Sequence, residues 1–161
     1  MNKSALITPS LVLQAVELTT PTIESIIKLD PKRNVIYMVV PDPVVAAARE
    51  YEPLWSGAIG EQNRDQWANP YDEFATEKVK LTIRTGLPSH LVQHDFAHIY
   101  IAGDFKYGGS ENRKGIIVGA SGLAWHHDYT VSAIVAATID GLVKGAFEAE
   151  YARKPYLIGA T

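Results

Sequence analysis

The stretch from Asp128 to about residue 152 constrains the fold most. Val131, Ile134, Val135, Thr138, Ile139, Leu142 and Phe147 recur at helical spacing, while Asp140, Lys144 and Glu148 fall on the opposite face. Asp128 suits the cap of such a helix. A long helix with one apolar stripe buries that stripe against another layer, so the rest of the chain has to supply a sheet or a second helix. At 161 residues the chain is expected to form one domain over 1–161, with a single core and no need of staples.

The other segments supply that layer. "RNVIYMVVPDP" is a β-branched run closed by two prolines and predicts a strand over 34–40. Residues 44–51 stay open between a helix after Asp42-Pro43 and a second strand. "EYEPLWSGAIGEQNRDQWANP" reads as a long surface segment with room for a short strand. In "EKVKLTIR" the alternation of Val79, Leu81 and Ile83 argues for a strand. The flanks argue for a helix: Asn69, Pro70, Asp72 and Glu73 suit its start, Gly86 and Pro88 its end. Phe74, Ala75, Val79 and Ile83 also share a helical face, so a helix is predicted over 70–85. "AHIYIAGDF" and "GIIVGASGL" predict two strands joined by "KYGGSENRK" as a hairpin loop. At the N-terminus Thr8-Pro9 opens a helix, which Pro21 is expected to break and Thr20-Pro21 to restart. The sum is an α/β (α+β) domain with an antiparallel sheet and helices on one side or both.

Composition narrows the function. A net charge of −3 and a pI near 5.9 give no electrostatic reason to expect nucleic acid or an anionic membrane as partner. With no cysteine, disulfides, thiolate metal sites and cysteine nucleophiles are excluded, and a cytoplasmic protein is expected. Glu17 and the surrounding Thr and Pro residues interrupt the start, so a signal peptide is not expected. No run approaches the ~20 apolar residues of a membrane-spanning helix.

"EKVKLTIRTGLPS" resembles the lysine-containing helix, glycine and proline of the GlcG/HbpS family. "IYIAGDF…KGIIVGASGLAWHHDYTVSAIVAATIDGL" resembles its hairpin, its G-A-S-G turn and its final helix. The matching positions are Lys78, Gly86, Pro88, Gly119, Ser121, Gly122 and Asp128, within residues 70–145. The resemblance implies a profilin- or PAS-like fold and assembly into homo-oligomers. Family members include haem-binding proteins, relatives of the PduO C-terminal domain, and partners in glycolate and aromatic catabolism. A small-molecule ligand is therefore expected, with haem or another tetrapyrrole as one form of it.

The five histidines are the candidate chemistry. His90, His94 and His98 lie four apart, but Pro88 permits only a short helix from 89, so only His90 and His94 share a face with certainty. Position 95 is Asp, so H-E-x-x-H is absent. "WHHD" lies between a strand end and a helix N-terminus, where backbone N–H groups attract anions. Gly119, Ser121 and Gly122 let a ligand approach the backbone closely. Two readings follow. In a binding protein, Lys78, His94, His98, Gly119, Ser121, Gly122 and Trp125 touch the ligand, and His98 or His127 is the axial ligand of a haem. In a cofactor-independent lyase, isomerase or hydrolase, His126 or His127 shuttles protons, Asp128 orients it, and Lys78 holds an organic acid's carboxylate. The plainer alternatives are that Asp128 only caps its helix, Lys78 is solvated, and Trp55, Trp67 and Trp125 complete a core or a subunit contact. Ser121 lies in G-A-S-G rather than G-x-S-x-G and is not expected to be a nucleophile.

Overall fold

The β-branched run forms strand β1 (Val35–Pro41), one of the two inner strands of a four-stranded antiparallel sheet. The computed structural model describes residues 2–153. β1 pairs on one side with β2 (Pro53–Gly60), Val35 opposite Gly60. On the other side it pairs with β4 (Ile116–Ser121), which in turn pairs with β3 (Ser110–Arg113). Side chains alternate between the two faces. Ile36, Met38 and Val40 join Ile116, Val118 and Ala120 on the face covered by α1 (Pro9–Ile27) and α5 (Trp125–Arg153). Tyr37 and Val39 join Ile117 on the face covered by α3 (Tyr71–Thr85), where the short α2 (Pro43–Ala47) adds Ala46. The helices thus lie on both faces, and the expected α+β class with an antiparallel sheet is what forms.

Gly86 ends α3 in the left-handed conformation at φ 76°, and α4 (Ser89–Asp95) follows Pro88. The ambiguous segment after Asp42-Pro43 is α2: the Asp42 carboxylate accepts from the backbone N–H of Val44 and Val45 at 2.9 and 3.3 Å.

Several elements differ from expectation, each for a local reason. α1 runs unbroken through Pro21. Glu17, whose carbonyl loses its partner, and Pro21 are both exposed, so the defect sits on the solvent side. Thr19 and Thr20 donate their hydroxyls to the carbonyls of Ala15 and Val16 in the turn just before it. "AHIYIAGDF" is not a strand: Ala97–Ile99 is a 3-10 turn and Ile101 is 58% exposed. Both edges of β4 are already taken, by β1 and β3, so this apolar run does not pair with β4 as expected. β3 comes instead from polar "SENR" inside the expected loop. Lys114 (φ 53°) and Gly115 (φ 89°) make the two-residue turn, a geometry that matches the twist of paired strands. β2 fills eight residues of the segment read as mostly loop.

α5 begins at Trp125, so Asp128, expected as its cap, lies within its first turn. Its stripe is buried at Val131, Val135, Ala136 and Ile139, but Phe147 is exposed. Asp140, expected in water, is largely buried and paired with Arg113 at 3.0 Å and Lys144 at 3.2 Å. By length and composition Trp125–Ala152 is apolar enough to cross a membrane, contrary to the sequence expectation. Here its apolar stripe packs on the sheet and α1.

Candidate functional site

The pivot of the site is Lys78. On α3 it shares a helical face with Tyr71, Phe74, Ala75 and Thr82, and that face turns toward the sheet. Gly119 lets the helix come close: a Cβ there would lie 2.4 Å from Val79 Cγ2 and 2.8 Å from the Ala75 carbonyl. Lys78 is therefore only 1% exposed. A buried ammonium needs partners, and this one has them. Its Nζ donates to Asp128 Oδ2 and to the Ala120 carbonyl, both at 2.9 Å. The Phe105 ring centroid lies 5.4 Å away on a third side.

Asp128, 2% exposed, is the other half of the pair. Its Oδ1 accepts from the Leu123 backbone N–H at 2.9 Å, which ties the turn after β4 to the first turn of α5. Both its oxygens are thus committed to Lys78 and to the backbone, and in this arrangement it orients no imidazole. Burial pushes the Asp128 carboxyl up to about 6, against the opposing pull of the Lys78 ammonium. Burial also pushes Lys78 below the usual lysine range, with Asp128 pulling the other way.

This pair forms the floor of an open cavity of about 510 Å³. Tyr71, Phe74, Phe105, Tyr107 and Trp125 give it aromatic walls. Arg33 adds a second cation and donates from Nη1 to the Tyr71 hydroxyl at 2.7 Å. Ser121 and Leu123 come from the turn after β4, and His126 stands exposed at the rim. Of the three wall residues Arg33, Lys78 and Asp128, two are cations and one an anion. Two of the three Lys78 ammonium protons have acceptors among the described residues, which leaves one for a ligand.

The structure brings together Lys78, Ser121, Trp125, His126 and Asp128 on this wall. Gly119 and Gly122 make room for protein instead of ligand: a Cβ on Gly119 would strike α3, and one on Gly122 (φ 145°) would lie 2.2 Å from the Val35 carbonyl. His94, His98 and His127 lie off the cavity. His94 packs on Trp125, ring centroids 4.8 Å apart, and the His90 ring lies tilted against Tyr129 at 4.0 Å. His126 and His127 touch each other at 4.3 Å, and His98 is exposed beside Phe96. The buried Nδ1 atoms of His90 and His127 have no hydrogen-bond partner among the described residues, and burial holds His90 below the ordinary imidazole range. Among the described residues no cluster of three His, Asp or Glu side chains is arranged to hold a metal ion. Trp67 lies elsewhere, donating to the Glu61 carbonyl at 2.8 Å, and Trp55 packs on the core.

Sequence reasoning missed Arg33, Tyr71, Phe105 and Gly109. Arg33 and Tyr71 lie in segments read for secondary structure alone, and Phe105 ends a stretch read as a strand of the family-like hairpin. Gly109 was read as loop, yet a Cβ there would stand 2.7 Å from Lys78 Nζ.

No family model matches the sequence, and no curated protein matches it. Solved structures do resemble it. A double mutant of HbpS from Streptomyces reticuli superposes with a TM-score of 0.57 at 19% identity, covering 85% of this chain and 89% of that one. The Klebsiella pneumoniae protein ORFY gives 0.54 at 13% identity, covering 87% and 97%. A PduOC–haem complex gives 0.48 at 15% identity, covering 79% and 91%. The chain, with its helices on a four-stranded antiparallel sheet, has a GlcG/HbpS-like fold.

Proposed function

We propose that this protein is a small-ligand-binding protein whose ligand is an organic anion with a flat, apolar body. One observation carries the reading: the ammonium of Lys78, held by Asp128 and the Ala120 carbonyl, forms the floor of an aromatic-walled cavity with one proton unassigned. A concave, largely apolar pocket with a few convergent polar groups is the usual form of a small-molecule site. The aromatic walls suit a planar body. Arg33, on the same wall and 3.7 Å from the Asp30 carboxylate, adds a second cation suited to a ligand carboxylate. A positively charged ligand would meet two like charges and find Asp128 already satisfied.

A haem in this same cavity would need an axial ligand on its wall. An axial ligand has to aim a ring nitrogen into the cavity, and neither His98 nor His127 borders it. His126 is the one histidine on the wall among the described residues, so a haem held here would depend on it.

Calorimetric titration with benzoate, benzamide and haem tests the reading. Benzoate is expected to bind and its neutral isostere benzamide to bind at least about tenfold more weakly, a difference of about 1.4 kcal/mol. Equal affinities, or no heat with either, contradict it. A Soret shift with haem that is lost in His126→Ala would replace it by the haem reading.

A further inference from the structure

Lys78 is the only buried lysine among the described residues, and its amine faces a cavity. Its surroundings do more than neutralise it. Gly109 (φ 139°) lets its backbone pack closely against the pair: a Cβ there would lie 2.7 Å from Nζ, 2.7 Å from the Ala120 carbonyl and 2.9 Å from Asp128 Cβ. The Gly109 carbonyl is fixed by the Ala120 N–H at 2.9 Å and the Ser132 hydroxyl at 2.7 Å, so the cradle is rigid. A lysine amine becomes a nucleophile when it loses its proton, and desolvation together with an adjacent proton acceptor favours that loss. Burial lowers the Lys78 pKa, and the carboxyl 2.9 Å away is itself raised to about 6, which narrows the gap between donor and acceptor.

We propose that Lys78 condenses with the carbonyl group of a small oxo acid bound in this cavity, forming an imine beside Asp128. The inference rests on the anion-binding reading and adds the class of ligand, an organic acid carrying a ketone or aldehyde. Nζ first passes a proton to the Asp128 carboxylate. The amine lone pair then forms the C–N bond as the carbonyl π pair moves to oxygen. A proton moves from nitrogen to that oxygen to give the carbinolamine. Asp128 returns its proton to the hydroxyl group, the C–O bond breaks, and water leaves. Ammonium and carbonyl become protonated imine and water, with no change in oxidation state. The Asp128 carboxylate remains as counter-ion, and Arg33 is placed to meet the oxo acid's carboxylate.

The test uses the full-length wild-type protein, pyruvate and sodium cyanoborohydride, followed by peptide mapping by mass spectrometry. One reduced pyruvate adduct is expected on the peptide that carries Lys78. It should form at least about tenfold faster than on any exposed lysine, and benzoate should slow it. No adduct at Lys78, or labelling no faster than at exposed lysines, overturns the proposal. Lys78→Arg keeps a cation for Asp128 but cannot form the imine, so its adduct should vanish. If that variant fails to fold, the wild-type map decides alone. Benzoate binding without an adduct ends the imine and leaves the anion site standing. Neither binding nor adduct ends both. An adduct without benzoate binding supports the imine and overturns the flat, apolar body of the ligand, leaving a site for small oxo acids.

Discussion

The floor and the rim of the cavity come from the same four residues, "WHHD", and differ in almost everything else. At the floor Asp128 is buried and makes two bonds, one to Lys78 and one to the Leu123 N–H. At the rim His126 is exposed, and its ring stands against those of Trp125 and His127. The sequence draws the eye to the histidines because imidazole is versatile. The fold gives the determined environment to the lysine and the aspartate. Burial and fixed partners, more than residue type, separate a group that the structure holds in place from one that it merely displays.

The largest effect expected from breaking this contrast is at the floor. Asp128→Ala leaves an ammonium without a counter-ion and the Leu123 N–H without an acceptor, and it should cost about 3–5 kcal/mol in urea unfolding. A loss below about 1 kcal/mol would mean that the pair is not desolvated. Gly119→Ala, which drives a methyl into Val79 and the Ala75 carbonyl, should cost about 1–3 kcal/mol and weaken benzoate binding by displacing α3.

The pair should also leave a pH signature relative to Lys78→Met/Asp128→Asn, which cannot titrate there. The folded Asp128 keeps its proton up to about 6, the unfolded one only to about 3.8. Between those values the folded state binds more protons, so the wild type should lose relative stability as pH rises from 4 to 6. Lys78 acts with the opposite sign. Its folded pKa lies below 10.5, so relative stability should return as pH rises toward that value. An acid limb that is flat or rising would contradict this assignment. The smallest effects belong to the rim: His126→Ala and His94→Ala should each change stability by less than about 0.5 kcal/mol.

The legible parts of the fold were those that a single segment determines. "VIYMVV" between prolines announces β1, Gly86 announces the end of α3, and the spacing from Val131 to Ile139 announces α5. What stayed hidden depends on partners distant in the chain. "SENR" has no strand propensity and becomes β3 because the Lys114-Gly115 turn sets it beside β4, while the better strand former "HIYIA" joins no strand. The site divides the same way. Lys78 and Asp128 were both singled out, but their pairing spans 50 positions and no local pattern announces it. Arg33, Tyr71 and Phe105 reach one wall from three different segments, each with an unremarkable local context.

The central claim is that an anionic ligand meets Lys78 at the cavity floor. The most direct measurement is the side-chain nitrogen resonance of Lys78 in uniformly 15N-labelled protein, followed during a benzoate titration. The predicted result is a saturable shift of the Lys78 Nζ signal that tracks benzoate binding, with the exposed lysines unmoved. Benzoate binding that leaves the Lys78 signal in place would contradict the claim.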